Sequence, residues 1–266
     1  MTIAPSSVFL PTLPGRYYTD PAIFEREKRN IFERQWQFAC RAEDVPAPGR
    51  FVRTVIGNEN VIVVRGRDGE LRAFLNVCRH RGSTLCLTDT GDFGRSIRCP
   101  YHSWTYRLDG SLMSAPNWQS MAAADKADFG LHPVHLGEWH GMVWLNLADD
   151  PPPLEDLVWP QLLRPNCFLS LLPDHVITHR FEPVSTEVTK VVCEWLFPPS
   201  TVAGYDLSDT VEFFHRVNEQ DFAASEWCQP NMKSRAYVDG GVLVPSEQEI
   251  IGRWYYRWYQ ESMDSA

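Results

Sequence analysis

Cys78-Arg79-His80-Arg81-Gly82 and Cys99-Pro100-Tyr101-His102-Ser103-Trp104 are the two stretches whose reading decides the fold. Each offers one thiolate and one imidazole at short spacing, Cys-x-His in the first and Cys-x-x-His in the second. A 2Fe–2S cluster of the mixed type needs that set, with two thiolates on one iron and two imidazoles on the other. The candidate cluster ligands are therefore Cys78, His80, Cys99 and His102. Gly82 and Pro100 suit tight loops. Backbone N–H groups in such loops can donate to cluster sulfurs. Two rivals stand beside this reading. Zinc sites usually group like ligands, Cys-x2-Cys with His-x3-His, whereas each half here mixes them. Four unrelated core residues are the other rival.

The rest of the chain bounds the setting. Its 266 residues, 44% apolar and with ten Trp, suit one large domain or two modest ones. A net charge of −9 and the lack of any Lys/Arg run argue against nucleic acid and for small molecules or redox partners. Residues 1–14 carry neither a basic start nor an apolar run, so no secretory signal is expected. No stretch approaches the length of a membrane span. A cytoplasmic setting follows, where cysteine use points first to metal ligation. Cys40, Cys86, Cys167, Cys193 and Cys228 are left over and read as small buried apolar residues.

Along the chain, Asp20-Pro21 opens a helix, with Asp as N-cap and Pro at the first helical position, running to about Trp36. The period then becomes two. Residues 51–56, 61–65 and 71–77 read as strands, with turns at Gly57-Asn58 and Asp68-Gly69. The first Cys/His loop follows the third strand. The second leads into residues 104–108, and 141–147 form a closing strand. Asp149-Asp150-Pro151-Pro152-Pro153 reads as a linker. Beyond it come strands at 168–172, 176–181 and 189–197. Asp209 then caps a helix to about Cys228, and a Trp- and Tyr-rich tail follows. The class expected is α+β, with an N-terminal helical segment at 1–36, a cluster domain at 37–150 and a further domain at 151–266.

Cys78-Arg79-His80-Arg81-Gly82 with Cys99-Pro100-Tyr101-His102-Ser103-Trp104-Thr105-Tyr106 resembles the Rieske domain of ring-hydroxylating-type oxygenase α subunits. In that family the position of Ser103 is usually Gly. Respiratory Rieske proteins add a disulfide between the loops; Tyr101 stands where its Cys would be, leaving Cys86 without such a partner. The resemblance extends to Tyr17-to-Pro21, Leu171-to-Asp174, Val192-to-Phe197 and Asn218-to-Phe222, nearest the glycine betaine, choline and stachydrine monooxygenase branch. It implies a small antiparallel Rieske domain plus a helix-grip catalytic domain. It also implies uptake of electrons from a ferredoxin or flavin reductase, O₂-dependent hydroxylation or N-demethylation of a small substrate, and a homotrimer.

The same resemblance implies a second metal, a mononuclear iron held by two His and one carboxylate. Asp221 matches the carboxylate position. The segment that carries both His is missing after Pro153, which makes 151–266 a partial catalytic domain. Phe214, Val217, Asp221, Ala224 and Cys228 lie on one helical stripe, so Asp221 is expected to be buried with a metal or a cationic partner. Two functions stay open: an oxygenase α subunit, or an electron-transfer 2Fe–2S module without a mononuclear iron.

Overall fold

The computed structural model describes residues 10–120, 125–157, 162–204, 206–244 and 250–264. Its first elements are β1 (Leu10–Pro11), α1 (Pro21–Glu27), β2 (Gln37–Arg41), β3 (Arg50–Ile56), β4 (Glu59–Arg65), β5 (Leu71–Leu75) and β6 (Thr90–Asp92). Then come β7 (Ile97–Arg98), β8 (Thr105–Tyr106), β9 (Leu112–Ser114), β10 (Pro133–Trp139), β11 (Met142–Asn146), β12 (Leu162–Leu163) and β13 (Cys167–Leu171). The remainder is β14 (Val176–Ser185), β15 (Val188–Leu196), α2 (Pro199–Gly204), α3 (Ser208–Cys228), β16 (Val242–Leu243) and α4 (Ile250–Asp264). The chain forms two compact units, Phe32–Asn166, and Met1–Ile31 with Cys167–Ala266. The strand pairs with an assigned register are antiparallel, in keeping with the α+β class.

In the unit Phe32–Asn166 a seven-stranded sheet runs β2-β11-β10-β5-β4-β3-β6. Its inner strand β4 is apolar on both faces, and Val61, Ile62, Val63 and Val64 are fully buried. Alternation sends Val61 and Val63 into one core with Ala73, Val143 and Leu145. Ile62 and Val64 enter a second core with Phe74. That second core is closed by a three-stranded sheet, β7-β8-β9, through Ile97, Tyr106 and Leu112. Burial of each such aliphatic side chain contributes about 1.5–3 kcal/mol. Cys78, Cys99 and Trp104 belong to this core, so the apolar pattern of β4 and β8 is what holds the two Cys/His loops together.

Two expectations about this unit are corrected. The first helix does not reach Trp36: α1 ends at Glu27, followed by a wide turn over Lys28–Phe32. Trp36 is instead buried, its indole N–H donating to the Pro152 carbonyl at 2.8 Å. The third strand stops at Leu75 rather than Val77 because Asn76 turns inward. Its side-chain oxygen accepts from the N–H groups of Leu85 and Cys86, and its amide donates to the Cys86 carbonyl at 2.9 Å.

In the other unit β13, β14 and β15 form an antiparallel meander. The N-cap at Asp20 is present: its carboxylate accepts from the Ala22 N–H at 2.8 Å, with Pro21 opening α1. The aromatic tail becomes α4, and its Tyr259 and Met263 share a core with Leu13, Ile23 and Ile31. Asp209 is not the cap of α3. It lies inside the first turn, where an acid suits the helix dipole, while the Asp206 carboxylate accepts from the Ser208 N–H. No residue of α3 is buried, and Phe213 and Trp227 are exposed. Among the described residues no helix is long and apolar enough to cross a membrane.

Candidate metal centre

The two Cys/His loops have the same construction. In the first, Cys78 N–H donates to the Ser83 carbonyl (2.8 Å) and Gly82 N–H donates back to the Cys78 carbonyl (3.0 Å). In the second, Cys99 N–H donates to the Trp104 carbonyl (2.8 Å) and Ser103 N–H to the Cys99 carbonyl (3.1 Å). Each loop therefore closes five residues after its cysteine. The residue four after the cysteine takes the left-handed conformation, Gly82 at φ 68° and Ser103 at φ 60°.

This construction brings the four sequence-expected residues together. The two thiols are buried and close enough to share a sulfur hydrogen bond. The two imidazole rings lie with centroids 4.8 Å apart and planes at 74°. The His80 ring stacks on Trp104 at 5.0 Å, nearly parallel. The sulfur side faces the core, while His80 is exposed and His102 half-buried. Arg79, His80, His102, Trp104 and Phe129 line one open pocket of about 620 Å³.

Burial pushes the Cys78 thiol above its ordinary value, against donation from Tyr106 and the His80 N–H. Burial also opposes ionisation of Cys99, yet the N–H groups of His102 and Tyr101, with Cys78 and Ser83, outweigh it and lower that thiol. Tyr106 is fully buried and meets the first loop twice. It accepts from the Arg79 N–H at 3.0 Å, which leaves its own O–H to donate to Cys78 Sγ at 3.2 Å. The sequence carries no signal for this role of Tyr106, since a single inward tyrosine on a two-residue strand has no spacing signature.

The donor set fits a two-iron cluster. Two soft thiolates sit inward and two imidazoles outward, and Nδ1 of His102 is buried with no hydrogen-bond partner. A lone zinc ion would gather all four donors on one centre, yet no three His, Cys, Asp or Glu converge on one ion among the described residues. A two-iron cluster asks only two protein donors of each iron.

The mononuclear-iron expectation does not fit. Asp221 is exposed on α3, as are Val217, Ala224 and Cys228 of the stripe expected to bury it. The described residues include all eight histidines of the chain. His215 pairs with Glu219 at 3.4 Å, His175 Nδ1 with Asp174 at 2.8 Å, and His179 Nε2 with Asn218 at 3.2 Å. No pair of them stands beside Asp221. The apolar spacing of α3 is real, but of the stripe only Phe214 is half-buried, its ring edge-on to His175 at 5.6 Å. Of the leftover cysteines, Cys40, Cys86 and Cys167 are buried as expected, whereas Cys193 is half-buried and Cys228 exposed.

Two family models match the chain. Residues 35–125 match the Rieske [2Fe-2S] domain model, and residues 130–265 match the catalytic domain of the ring hydroxylating alpha subunit. The glycine betaine monooxygenase oxygenase subunit of Pseudomonas aeruginosa is 36% identical over 183 residues, 69% of this chain and 38% of that protein. The carnitine monooxygenase oxygenase subunit of Escherichia coli is 40% identical over 145 residues, 54% of this chain and 38% of that protein. The chain thus spans well under half the length of these relatives. The apo crystal structure of the quaternary ammonium Rieske monooxygenase CntA shares the fold, with a TM-score of 0.85 at 22% identity over 98% of this chain and 97% of that one.

Proposed function

The chain belongs to the ring-hydroxylating oxygenase α-subunit family, and we propose that it takes up electrons through a 2Fe–2S cluster held by Cys78, Cys99, His80 and His102. The donor is a ferredoxin or flavin reductase. The reaction served is O₂-dependent hydroxylation or N-demethylation of a small substrate. Relatives named for glycine betaine and carnitine favour a quaternary ammonium compound. Residues 37–150 are read as the electron-transfer domain and 151–266 as part of the catalytic domain. The cytoplasm and a homotrimer complete the reading.

The carrying observation is the polarity of the donor set, thiols in the core and imidazoles at the surface. When bound, the cluster supplies one reversible electron. The chain's own residues prepare for it. Tyr106 and the N–H groups of His80, Tyr101 and His102 aim donors at the two sulfurs and favour negative charge there. Trp104 fixes the plane of His80. The exposed His80 edge gives the electron a short way out.

A second reading is an electron-transfer module or inactive deletion variant, without oxygenation on this chain. Its support is the exposed Asp221 without a histidine pair. Iron analysis of the purified protein separates the two. Three irons per chain, with NADH-coupled O₂ consumption in the presence of a reductase, support the oxygenase. Two irons and no O₂ consumption support the module.

A further inference from the structure

A second concave site lies in the cluster-bearing unit, and it is basic on an otherwise acidic chain. Arg67, Arg72, Arg95 and Arg107 line it, with Asp68, Asp109 and the apolar Leu108. Both carboxylates are committed. Asp68 takes Arg72 in a fork, Nη1 to Oδ1 at 2.9 Å and Nη2 to Oδ2 at 2.6 Å, and that bond holds its carboxyl down at about 2. Asp109 accepts the hydroxyl and the N–H of Ser111 and is held low by them. Glu70 adds only a longer-range attraction on Arg72. Arg67 and Arg95 are exposed and have no carboxylate partner among the described residues. Four guanidinium groups against two carboxylates leave a positive concavity on a protein of net charge −9.

The position of this cleft relates it to the cluster loops. Arg107 directly follows Tyr106, whose hydroxyl touches Cys78 Sγ at 3.2 Å. Leu108, on the wall of the cleft, belongs to the same core as Cys78, Cys99 and Tyr106. The residue next to Arg107 in sequence, Tyr106, therefore reaches the sulfur side of the centre.

We propose that the cleft formed by Arg67, Arg72, Arg95 and Arg107 is the docking site for the carboxylate-rich face of an acidic iron–sulfur electron donor. The electron passes to the sulfur side of the cluster along Tyr106. This rests on the cluster assignment above. One electron leaves the reduced donor and enters the oxidised cluster, and no bond or proton is exchanged. The need for a basic site follows from charge: an acidic donor is repelled by a chain of net −9 unless a local concavity of opposite sign focuses it. Rate gains from such steering run from about tenfold to a thousandfold and fade with salt.

The test uses the cluster-loaded full chain and a purified acidic 2Fe–2S ferredoxin as probe. Stopped-flow absorbance follows cluster reduction in wild type and in an Arg67→Glu/Arg95→Glu double variant, with Arg67→Gln/Arg95→Gln as a milder control. Both residues are exposed, so iron content and photochemical reduction by a neutral deazaflavin radical are expected to match wild type. The expected result is a second-order rate at least about tenfold lower in the Glu variant, an intermediate Gln variant, and a flattened dependence on ionic strength. Equal ferredoxin rates in all three proteins, or a loss that leaves the salt dependence unchanged, overturn the docking site while the cluster assignment stands. Failure of wild type to take up iron overturns both.

Discussion

Gly82 and Ser103 are equivalent residues in two copies of one loop. Each lies four positions after the loop's cysteine, donates its N–H to that cysteine's carbonyl, and sits in the left-handed region at φ 68° and 60°. Glycine is free there, whereas a residue with a Cβ is strained by about 1–2 kcal/mol. Ser103 recovers part of this by accepting from Arg98 Nη2 at 2.9 Å, a bond at the surface.

Ser103→Gly is therefore expected to stabilise the cluster-bearing unit by about 0.5–1 kcal/mol, the relieved strain less the lost bond and the added chain entropy. Urea unfolding of the variant measures it. A variant less stable than wild type contradicts the loop equivalence.

Tyr106 gives the second prediction. Its O–H donates to Cys78 Sγ, which favours the more negative, reduced state of a bound cluster. Tyr106→Phe removes one net hydrogen bond worth about 1 kcal/mol, so the potential should fall by on the order of 40 mV in a one-electron couple. Redox titration of the loaded variant reads this directly. An unchanged or raised potential contradicts the assigned donor direction.

Asn76 is a buried clamp that closes the first loop by three hydrogen bonds. Asn76→Ala leaves two N–H groups and a carbonyl unpaired, at a cost of about 3 kcal/mol. The denaturation midpoint should drop accordingly, and iron uptake should fall with it. A shift below about 0.5 kcal/mol contradicts the clamp.

Glu27 carries a pH signature. Burial raises its carboxyl above 4.5, against the hydrogen bond it accepts from Tyr259. The folded state then holds a proton that the unfolded state gives up, so stability is fully present below about pH 4.5 and declines as pH rises through the raised value. Glu27→Gln keeps an acceptor for Tyr259 and removes the titration. The variant should gain on wild type with rising pH, by at most about 1.4 kcal/mol per pH unit. Unfolding series from pH 4 to pH 8 on both proteins test this; a gap that is constant or shrinks with pH contradicts it.

The cluster loops were legible because their spacing is chemical: two donors per loop, one soft and one borderline, leave little else to read. The strand pattern was legible for the same kind of reason, since β4 is apolar on both faces and only an inner strand can bury both. The early end of α1 was not, because a helix-compatible composition continues to Trp36 while that indole is claimed by Pro152. Nor was the exposure of Asp221. Periodicity shows that a helix has an apolar stripe, and whether any layer covers the stripe depends on residues elsewhere in the chain. Asn76 and Tyr106 are structural decisions of single residues, made by contacts at sequence distances of 10 and 28 that no local window contains.

The central claim is that Cys78, Cys99, His80 and His102 hold a two-iron cluster. Iron and acid-labile sulfide, quantified per chain after anaerobic reconstitution of wild type and Cys78→Ser, test it most directly. The account predicts two sulfides in wild type, with two irons at the cluster and near zero of either in the variant. A single bound metal without sulfide, or iron and sulfide unchanged by Cys78→Ser, would contradict it.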